Sequence, residues 1–365
     1  MKRNILGVAL ILLGLAALVF AVRLRVESAV AAPYALSAAA APALDPAPTP
    51  TSTPVPTPAP TPEPTPEATP RPLRDPELCD YCIDPSFFEP ATEQGTLRRD
   101  VGYTTSDYVD GREGTFAKCM QVYFPYGYDE SEQYDVLFLL HVRQHDEYFW
   151  LDWPHLYDIP GEGASYVSAV NLLDNLIERG LCRPMLVIAL NGYLNYDASM
   201  AHRSEQVYPQ FAEEFRRDIL PFVAEHYATY AEGTDLASLR AAREHFGVMG
   251  ASFGAYETEI SVLAPSLDLI AWYAMTGGGS VTYDYLYPEW SHCGTVDEPI
   301  RLLYFVEGEY DDIGPVEGSY WALGNWTEKF TRDENLRFTR IYGAGHEPRE
   351  WVDALYNTAQ LFFRF

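Results

Sequence analysis

Short apolar runs alternate with longer amphipathic segments from Asp135 to the end of the chain. The runs are DVLFLLH, PMLVIAL, HFGVMG, LIAWYAMTG, IRLLYFVEG and LRFTRIYG. Runs that are short and apolar at nearly every position are typical of parallel strands buried on both faces of a sheet. Upstream, residues 96–124 contain further β-prone runs such as AKCMQVYFP. We therefore expect a sheet to form the centre of the domain.

The segments between these runs have the spacing of apolar residues that is typical of helices. They are SYVSAVNLLDNLIERG, PQFAEEFRRDILPFVAEHY, a segment that begins near Phe253, SYWALGNWTEKFTRD and REWVDALYNTAQLFF. The second segment is expected to be one long amphipathic helix with Pro221 as its internal proline. Strand–helix alternation predicts an α/β fold, with a mostly parallel central sheet and helices on both faces.

The first 72 residues of the chain have a different composition. Lys2 and Arg3 precede an apolar run, NILGVALILLGLAALVFAV, which is the pattern of an export signal. The run is also long enough to span a bilayer, so residues 1–31 are expected to be a signal peptide or a membrane anchor. Residues 32–72 include a Pro/Thr tract without core-forming residues, which predicts a disordered, extended linker. Residues 73–365 are expected to form the folded domain, and the protein to be extracytoplasmic, either secreted or tethered to the cell surface.

The net charge narrows the choice of partners. The formal net charge of the chain is −27, and the first 72 residues hold five basic and four acidic side chains, so residues 73–365 carry −28. An acidic surface of this kind repels phosphate backbones, so we expect no nucleic-acid partner. A membrane is expected as a partner only through an uncleaved N-terminal segment.

The chain contains the five cysteines Cys79, Cys82, Cys119, Cys182 and Cys293. In an exported protein an even subset of them can form disulfides. Cys79 and Cys82 have the C-x-x-C spacing, but no second pair completes a zinc site and no thioredoxin-like context surrounds them. A local or structural disulfide is therefore favoured over a redox or metal role.

Residues with the chemistry of a catalytic triad follow three of the predicted strands. Ser252 is the centre of Gly250-Ala251-Ser252-Phe253-Gly254, a G-x-S-x-G pattern between a strand and a helix. Asp311 and Asp312 follow a later strand, and His346 follows the next one, so the chain order is that of the nucleophile-elbow hydrolases. A serine hydroxyl needs a base to take its proton, and the base needs an acid to orient it. Loops at the carboxyl ends of parallel strands would bring these side chains together.

The segment from about residue 116 to 365 resembles the esterase family that includes feruloyl and acetylxylan esterases, esterase D and the mycolyltransferases. The matching stretches are YDVLFLLHVRQHDEYFW, FAEEFRRDILPFVAEHYATY, GVMGASFGAYE, FVEGEYDD and GAGHEPREW. The resemblance implies an α/β-hydrolase fold, with Ser252 as nucleophile and His346 as base. Family members place the acid three residues after a glycine, which selects Asp311, three residues after Gly308.

The resemblance also implies an oxyanion hole, although one loop departs from the family pattern. Relatives commonly carry a glycine-rich H-G-G-G-like loop where this chain has HVRQHD from His141. The implied donors are the backbone N–H groups of Arg143 and Phe253. Val142 replaces a glycine, and a β-branched residue tolerates positive φ poorly. The loss of one oxyanion donor costs about 10²–10³ in rate, so this loop predicts a remodelled site or a weak enzyme.

Two other interpretations of the polar and aromatic residues are possible. His141, His145 and Asp146 are spaced like metal ligands, but His141 occupies a family position at a strand end, and no metal is expected. The aromatic residues Trp150, Trp153, Tyr193, Tyr196 and Trp290 fall on predicted loops near the strand ends. They could stack on a sugar or a phenolic acid, although core packing accounts for most aromatic residues.

The sequence thus predicts an exported serine esterase that needs no cofactor. Its substrate is an ester, with acyl or feruloyl groups on cell-wall polysaccharide as the leading candidate by resemblance. Two alternatives stay open. An acyltransferase would use the same triad and pass the acyl group to a sugar hydroxyl. A catalytically weak or inactive relative would bind carbohydrate or another surface.

Overall fold

An eight-stranded sheet runs through the computed structural model, which describes residues 72–108, 113–159, 161–193, 204–281 and 299–364. The strands of this sheet are β1 (Thr96–Ser106), β2 (Thr115–Phe124), β3 (Asp135–Leu140), β6 (Met185–Leu190), β7 (Phe246–Ala251), β8 (Trp272–Thr276), β9 (Leu302–Gly308) and β10 (Leu336–Ile341). Two further strands, β4 (His155–Ile159) and β5 (Gly163–Val167), form a separate antiparallel hairpin. The sheet order is β1-β2-β6-β3-β7-β8-β9-β10. The six strands from β6 to β10 in this order, which include β3, are parallel to their neighbours. Strands β1 and β2 add an antiparallel edge.

Helices cover both faces of this sheet. They are α1 (Tyr148–Leu151), α2 (Ala169–Glu178), α3 (Ser204–Glu214), α4 (Leu220–His226), α5 (Leu236–Ala241), α6 (Phe253–Glu257), α7 (Glu317–Leu323) and α8 (Pro348–Leu361). Successive residues of β3 enter different cores, since Phe138 packs with Phe211 and Phe215 on one face and Leu139 packs with Leu355 on the other. Every residue of β3, β6 and β7 is buried, as expected of strands that are apolar at every position except Asp135. The prediction of a mostly parallel sheet with helices on both faces is confirmed.

The segment around Pro221 is helical throughout, as expected, but it is not one regular α-helix. Helix α3 gives way to a π-helical turn, Phe215–Ile219, before α4 begins at Leu220. Pro221 has no N–H to donate, and it lies in the first turn of α4, directly after the π-helical turn. A second proline, Pro209, lies inside α3.

Two other helix predictions were too long. The segment SYVSAVNLLDNLIERG begins in β5, and its helix starts only after Ser168, whose hydroxyl accepts a hydrogen bond from the Asn171 N–H. This serine is the N-cap that ends the hairpin and begins the helix. The segment SYWALGNWTEKFTRD is helical only as part of α7, which ends at Leu323, and Gly324 follows it as the C-cap.

The N-terminal predictions lie outside the described residues, apart from Pro72. Among the residues that the structure does describe, no helix is long and apolar enough to cross a membrane. The signal or anchor at 1–31 and the linker at 32–72 therefore stay predictions.

The described cysteines are not joined by disulfides. Cys79 and Cys82 lie beside α8, where the Cys79 N–H donates to the Asn357 side chain and the Cys82 sulfur is 3.4 Å from Arg349 Nη1. Burial raises the pKa of the Cys82 thiol, so this cysteine is protonated at neutral pH. The predicted local disulfide between them is not formed in this structure. Cys293 lies outside the described residues.

Candidate active site

Ser252 stands on a strained turn between β7 and α6. Its backbone has φ 53° and ψ −112°, a combination that L-residues rarely adopt. The Ser252 N–H donates to the Thr276 carbonyl at 2.8 Å, which fixes the turn against β8. This backbone conformation is the one expected of a nucleophile elbow, because it lifts the side chain above the sheet.

Glycines on either side of Ser252 allow the turn to close. A Cβ atom at Gly250 would overlap the carbonyl group of Gly254, and a Cβ atom at Gly254 would overlap the Leu140 carbonyl at the end of β3. The sharp turn therefore depends on the absence of side chains at both positions. The second contact also brings the elbow next to the loop that follows β3.

Replacing Gly250 by alanine is expected to lower the free energy of unfolding by about 2–4 kcal/mol, because the added methyl group has backbone rather than a movable side chain in its way. The matched control is Gly318→Ala in α7, where a Cβ atom would meet nothing within 4 Å. There the change should stabilise the helix by up to about 1 kcal/mol. Denaturant unfolding of both variants checks this difference. Equal stability of the two variants would show that the elbow is not tightly packed.

His346 lies between Ser252 and Asp311. Its Nε2 atom is 2.9 Å from Ser252 Oγ, and its Nδ1 atom is 2.9 Å from Asp311 Oδ2. Gly277 faces this pair, with φ 59°, and a Cβ atom there would lie 3.1 Å from the His346 ring. The three predicted residues thus form a continuous hydrogen-bonded row, in the arrangement that a Ser-His-Asp triad requires.

Asp311 is held as a carboxylate, whereas Asp312 is not involved. The Asp311 side chain is buried, and its Oδ1 atom accepts hydrogen bonds from the N–H groups of Ile313 and Gly314, at 2.8 and 3.0 Å. Burial acts to raise the pKa of Asp311, but the hydrogen bonds from His346 and from these two N–H groups outweigh it, so that the pKa is lowered. Asp312 is exposed. The geometry therefore favours Asp311, as the glycine spacing did.

Glu350 and Thr276 adjoin this row and were not predicted. Glu350, in the first turn of α8, is fully buried, and its Oε1 atom accepts a hydrogen bond from the Thr276 hydroxyl at 2.8 Å. One sequence signal was available, because Glu350 follows His346 by four residues at the start of the last predicted helix.

The loop after β3 is fixed by hydrogen bonds on both sides of Arg143. The Gln144 N–H donates to the Tyr193 hydroxyl at 2.6 Å, and the His145 N–H donates to the Val142 carbonyl at 3.3 Å. The residue with positive φ is Gln144, at 65°, and not Val142, whose side chain is buried in the core. The conflict expected for a β-branched residue in a glycine-like conformation therefore does not arise.

His141 takes no part in a metal site of the kind that the sequence spacing allows. Its Nδ1 atom is 2.8 Å from the Val142 carbonyl, and its Nε2 atom accepts from the Gly192 N–H at 3.2 Å. Burial lowers the pKa of His141 to about 4, so the ring is neutral and both nitrogens are engaged. His145 packs against the rings of Phe149 and Trp153.

Among the described residues, the one group of three possible metal-ligating side chains is Asp311, His346 and Glu350, whose ligand atoms lie within 4.8 Å of one another. Both ring nitrogens of His346 already have hydrogen-bond partners in Ser252 and Asp311. A metal ion would have to replace one of these bonds. The arrangement therefore fits proton transfer better than metal binding.

Some known proteins are similar to this chain in sequence or in architecture. No family model matches the chain. A stretch of 195 residues, 53% of the chain, is 30% identical to endo-1,4-beta-xylanase Y of Acetivibrio thermocellus, and the match spans 15% of that protein's length.

Two solved structures share the architecture. One is a serine-to-alanine mutant of the feruloyl esterase module from Clostridium thermocellum, complexed with sinapinate. Its TM-score is 0.60 at 20% identity, over 80% of this chain and 96% of that one. The chain has the α/β-hydrolase fold. The other is a CE1 ferulic acid esterase from Anaeromyces mucronatus, solved without substrate, with a TM-score of 0.55 at 18% identity, over 79% of this chain and 98% of that one. The resemblance expected from the sequence is confirmed at the level of the fold.

Within this α/β-hydrolase fold, a further carboxyl group is buried behind the elbow. Glu257, the last residue of α6, is fully buried, and neither carboxyl oxygen has a hydrogen-bond partner among the described residues. Lys118 lies nearby but forms its ion pair with Glu214, at 2.7 Å. Burial raises the pKa of Glu257 well above its usual value, which favours the neutral acid in the folded protein.

The state of Glu257 predicts a pH dependence of stability. The folded protein keeps this proton, whereas the unfolded chain releases it above the ordinary glutamate pKa of 4.5, so the free energy of unfolding falls as pH rises. The slope is about 1.4 kcal/mol per pH unit for one such group. We expect Glu257→Gln to flatten this dependence as the pH rises above 5, and to be more stable than wild type at the upper end. Denaturant unfolding at several pH values, beside the exposed control Glu130→Gln, measures the slope. A slope unchanged by Glu257→Gln would show that Glu257 is ionised.

The aromatic residues named from the sequence have different environments. Trp150 is buried, with its indole N–H donating to the Leu140 carbonyl at 2.9 Å, and Tyr193 is buried beneath the loop after β3. Both therefore anchor loops. Trp153 is 42% exposed and remains available to a ligand. Tyr196 and Trp290 lie outside the described residues.

Proposed function

We propose that the protein is an exported serine esterase that hydrolyses carboxylic esters through Ser252, His346 and Asp311. The observation that carries the proposal is the 2.9 Å approach of Ser252 Oγ to His346 Nε2 on a turn with φ 53°. A hydroxyl so placed can lose its proton to the imidazole as it attacks a carbonyl carbon. The fold shared with feruloyl esterases supports the esterase assignment in outline.

The proposed reaction has two halves. Ser252 Oγ attacks the ester carbonyl while His346 Nε2 takes its proton, and the tetrahedral intermediate collapses as the imidazolium gives that proton to the leaving alkoxide. The acyl group then remains on Ser252. Water attacks this acyl-enzyme while His346 again takes a proton, and the acid is released when the proton returns to Ser252. Asp311 orients the imidazole and stabilises its charged form in both halves.

Two backbone groups are proposed to bind the oxyanion. Phe253 is the first residue of α6, and the first N–H groups of a helix have no carbonyl partner within that helix. The Arg143 N–H lies in the loop that Tyr193 fixes, and Gly254 packs against the strand leading to that loop. Donors held rigidly before the reaction stabilise the developing charge without reorganisation.

The proposed substrate is an acyl or feruloyl ester carried by cell-wall polysaccharide. Solved structures with this fold contain sinapinate and ferulic acid, and the matched xylanase acts, by its name, on a polysaccharide. Exposed aromatic residues adjoin the site, since Tyr310 next to Asp311 is 68% exposed. The predicted export segment and linker support a location outside the cytoplasm, either secreted or tethered to the cell surface.

Hydrolysis of three esters by the full chain tests the substrate. Methyl ferulate reports feruloyl esterase activity, acetylated xylan reports deacetylation of a polymer, and p-nitrophenyl acetate reports unselective esterase activity. Release of ferulate at a kcat/KM well above that for p-nitrophenyl acetate supports the proposal. Transfer of the acyl group to an added sugar, in place of release to water, would make the protein an acyltransferase. No turnover of any ester by a folded protein would favour a binding function.

A further inference from the structure

Glu350 lies behind the triad and has no part in the proposed steps of ester hydrolysis. It lies four residues after His346, in the first turn of α8, and none of its surface is exposed. Its Oε1 atom accepts from the Thr276 hydroxyl of β8, whereas Oε2 has no donor among the described residues. The ligand atoms of Asp311, His346 and Glu350 all lie within 4.8 Å of one another.

Two carboxyl groups therefore share one buried site. Asp311 has three N–H donors, from His346, Ile313 and Gly314, which hold it as the anion. A second anion beside it would be opposed by repulsion and by the loss of water. Burial raises the pKa of Glu350 well above its usual value, and the negative charge of Asp311 acts in the same direction.

Other charged groups near Glu350 have partners elsewhere. On α8, the Arg349 guanidinium donates to the Tyr81 carbonyl, and Asp353 accepts from the Tyr157 hydroxyl. Glu347, just before α8, accepts from the Gly345 N–H. From the sheet, β8 presents the neutral Thr276, and from α6 the neutral phenol of Tyr256 senses the Asp311 charge. Among the charged groups, Asp311 is therefore the one that acts on Glu350, in addition to burial.

We propose that Glu350 is a positioning residue which, as a neutral acid, donates a hydrogen bond to Asp311 and fixes the carboxylate that orients His346. The inference rests on the proposed function for its consequence in catalysis. A neutral donor disperses the charge of Asp311 without adding a second negative charge. Without this donor, the Asp311 carboxylate would attract the His346 proton more strongly, and the imidazole would become protonated at a higher pH.

Two variants of the full chain separate this role from simple packing. Glu350→Leu fills the space without a donor, and Glu350→Gln keeps a neutral donor of the same shape. For Glu350→Leu we expect kcat/KM for p-nitrophenyl acetate to fall about tenfold. The acid limb of its pH profile should move up by about half to one pH unit. Glu350→Gln should regain most of the lost rate and keep the acid limb where the wild type has it.

Infrared difference spectroscopy reads the proton on Glu350 without any turnover. The wild-type spectrum minus that of Glu350→Gln should contain the carbonyl stretch of a protonated carboxylic acid. This measurement tests the Glu350 proposal separately from the esterase proposal. A wild type that hydrolyses no ester would overturn the esterase proposal, but the infrared band could still be observed. If Glu350→Leu fails to fold, the band still shows whether Glu350 is protonated, because it needs only the wild type and Glu350→Gln.

Three results would overturn the inference. A carboxylate band in place of the acid band would show that Glu350 is ionised. An acid limb that moves down in Glu350→Gln would show the same, because the substitution would then remove a negative charge near His346. An acid limb that stays unchanged in a folded Glu350→Leu would show that Glu350 only fills space.

Discussion

Replacing Ser252 by alanine is expected to lower kcat/KM for ester hydrolysis by about 10⁴-fold or more, while the protein stays folded. The reason is that Ser252 Oγ, 2.9 Å from His346 Nε2, is the side-chain hydroxyl placed to be activated by this base. Oxyanion donors and substrate binding would remain, and they account for whatever rate is left. Initial rates with p-nitrophenyl acetate and methyl ferulate measure the loss.

Ser165→Ala is the matched control for this experiment. Ser165 is exposed on β5 of the separate hairpin, so its substitution should leave the rate within about twofold of wild type. Thermal unfolding of both variants separates a lost nucleophile from a lost fold. A Ser252→Ala variant that keeps more than a tenth of the wild-type rate would contradict the triad assignment.

Asp311→Asn is expected to lower kcat by about 10⁴-fold at neutral pH, the size of the effect known for this change in a Ser-His-Asp triad. An asparagine at this position either turns an N–H₂ group toward His346 Nδ1, which stabilises the wrong tautomer, or offers a neutral oxygen that does not stabilise the imidazolium. The hydrogen bonds from Ile313 and Gly314 to Oδ1 favour the original orientation of the side chain. The fold should therefore be kept.

Asp312→Asn provides the control, because it makes the same chemical change one residue away on an exposed side chain. Its kcat should stay within about twofold of wild type, since a single exposed charge is screened by solvent. Equal losses in the two variants would point to a general electrostatic effect. A large loss in Asp312→Asn alone would make Asp312 the acid.

The sheet could be predicted because the apolar composition of its central strands indicates that they are buried. Apart from Asp135, DVLFLL, MLVIAL and FGVMGA are apolar throughout, as expected of strands buried on both faces, and they became β3, β6 and β7. The site followed from topology, since parallel strands place the residues after their carboxyl ends on one edge. Ser252, Asp311 and His346 lie at that edge within hydrogen-bond distance.

Other features depend on contacts that local sequence does not report. The hairpin β4–β5 has no strong alternation, because Leu156 and Tyr166, which pair across it, are both exposed apolar residues. The π-helical turns in Phe215–Ile219 and Thr258–Leu263 change the hydrogen-bonding register within helices whose apolar spacing looks continuous. In the loop after β3, the residue with positive φ is Gln144 rather than Val142. Local propensity could not place it, because Tyr193 anchors the loop from 49 residues away.

The measurement that tests the central claim most directly is covalent labelling of the full chain with a fluorophosphonate, followed by mass spectrometry of the peptides. Such a reagent phosphonylates a serine whose hydroxyl is activated by a neighbouring base. If the claim holds, one label per chain appears on the peptide containing Ser252, and labelling fails in His346→Ala. An unlabelled Ser252 in a folded protein, or a label on another serine, would contradict the claim.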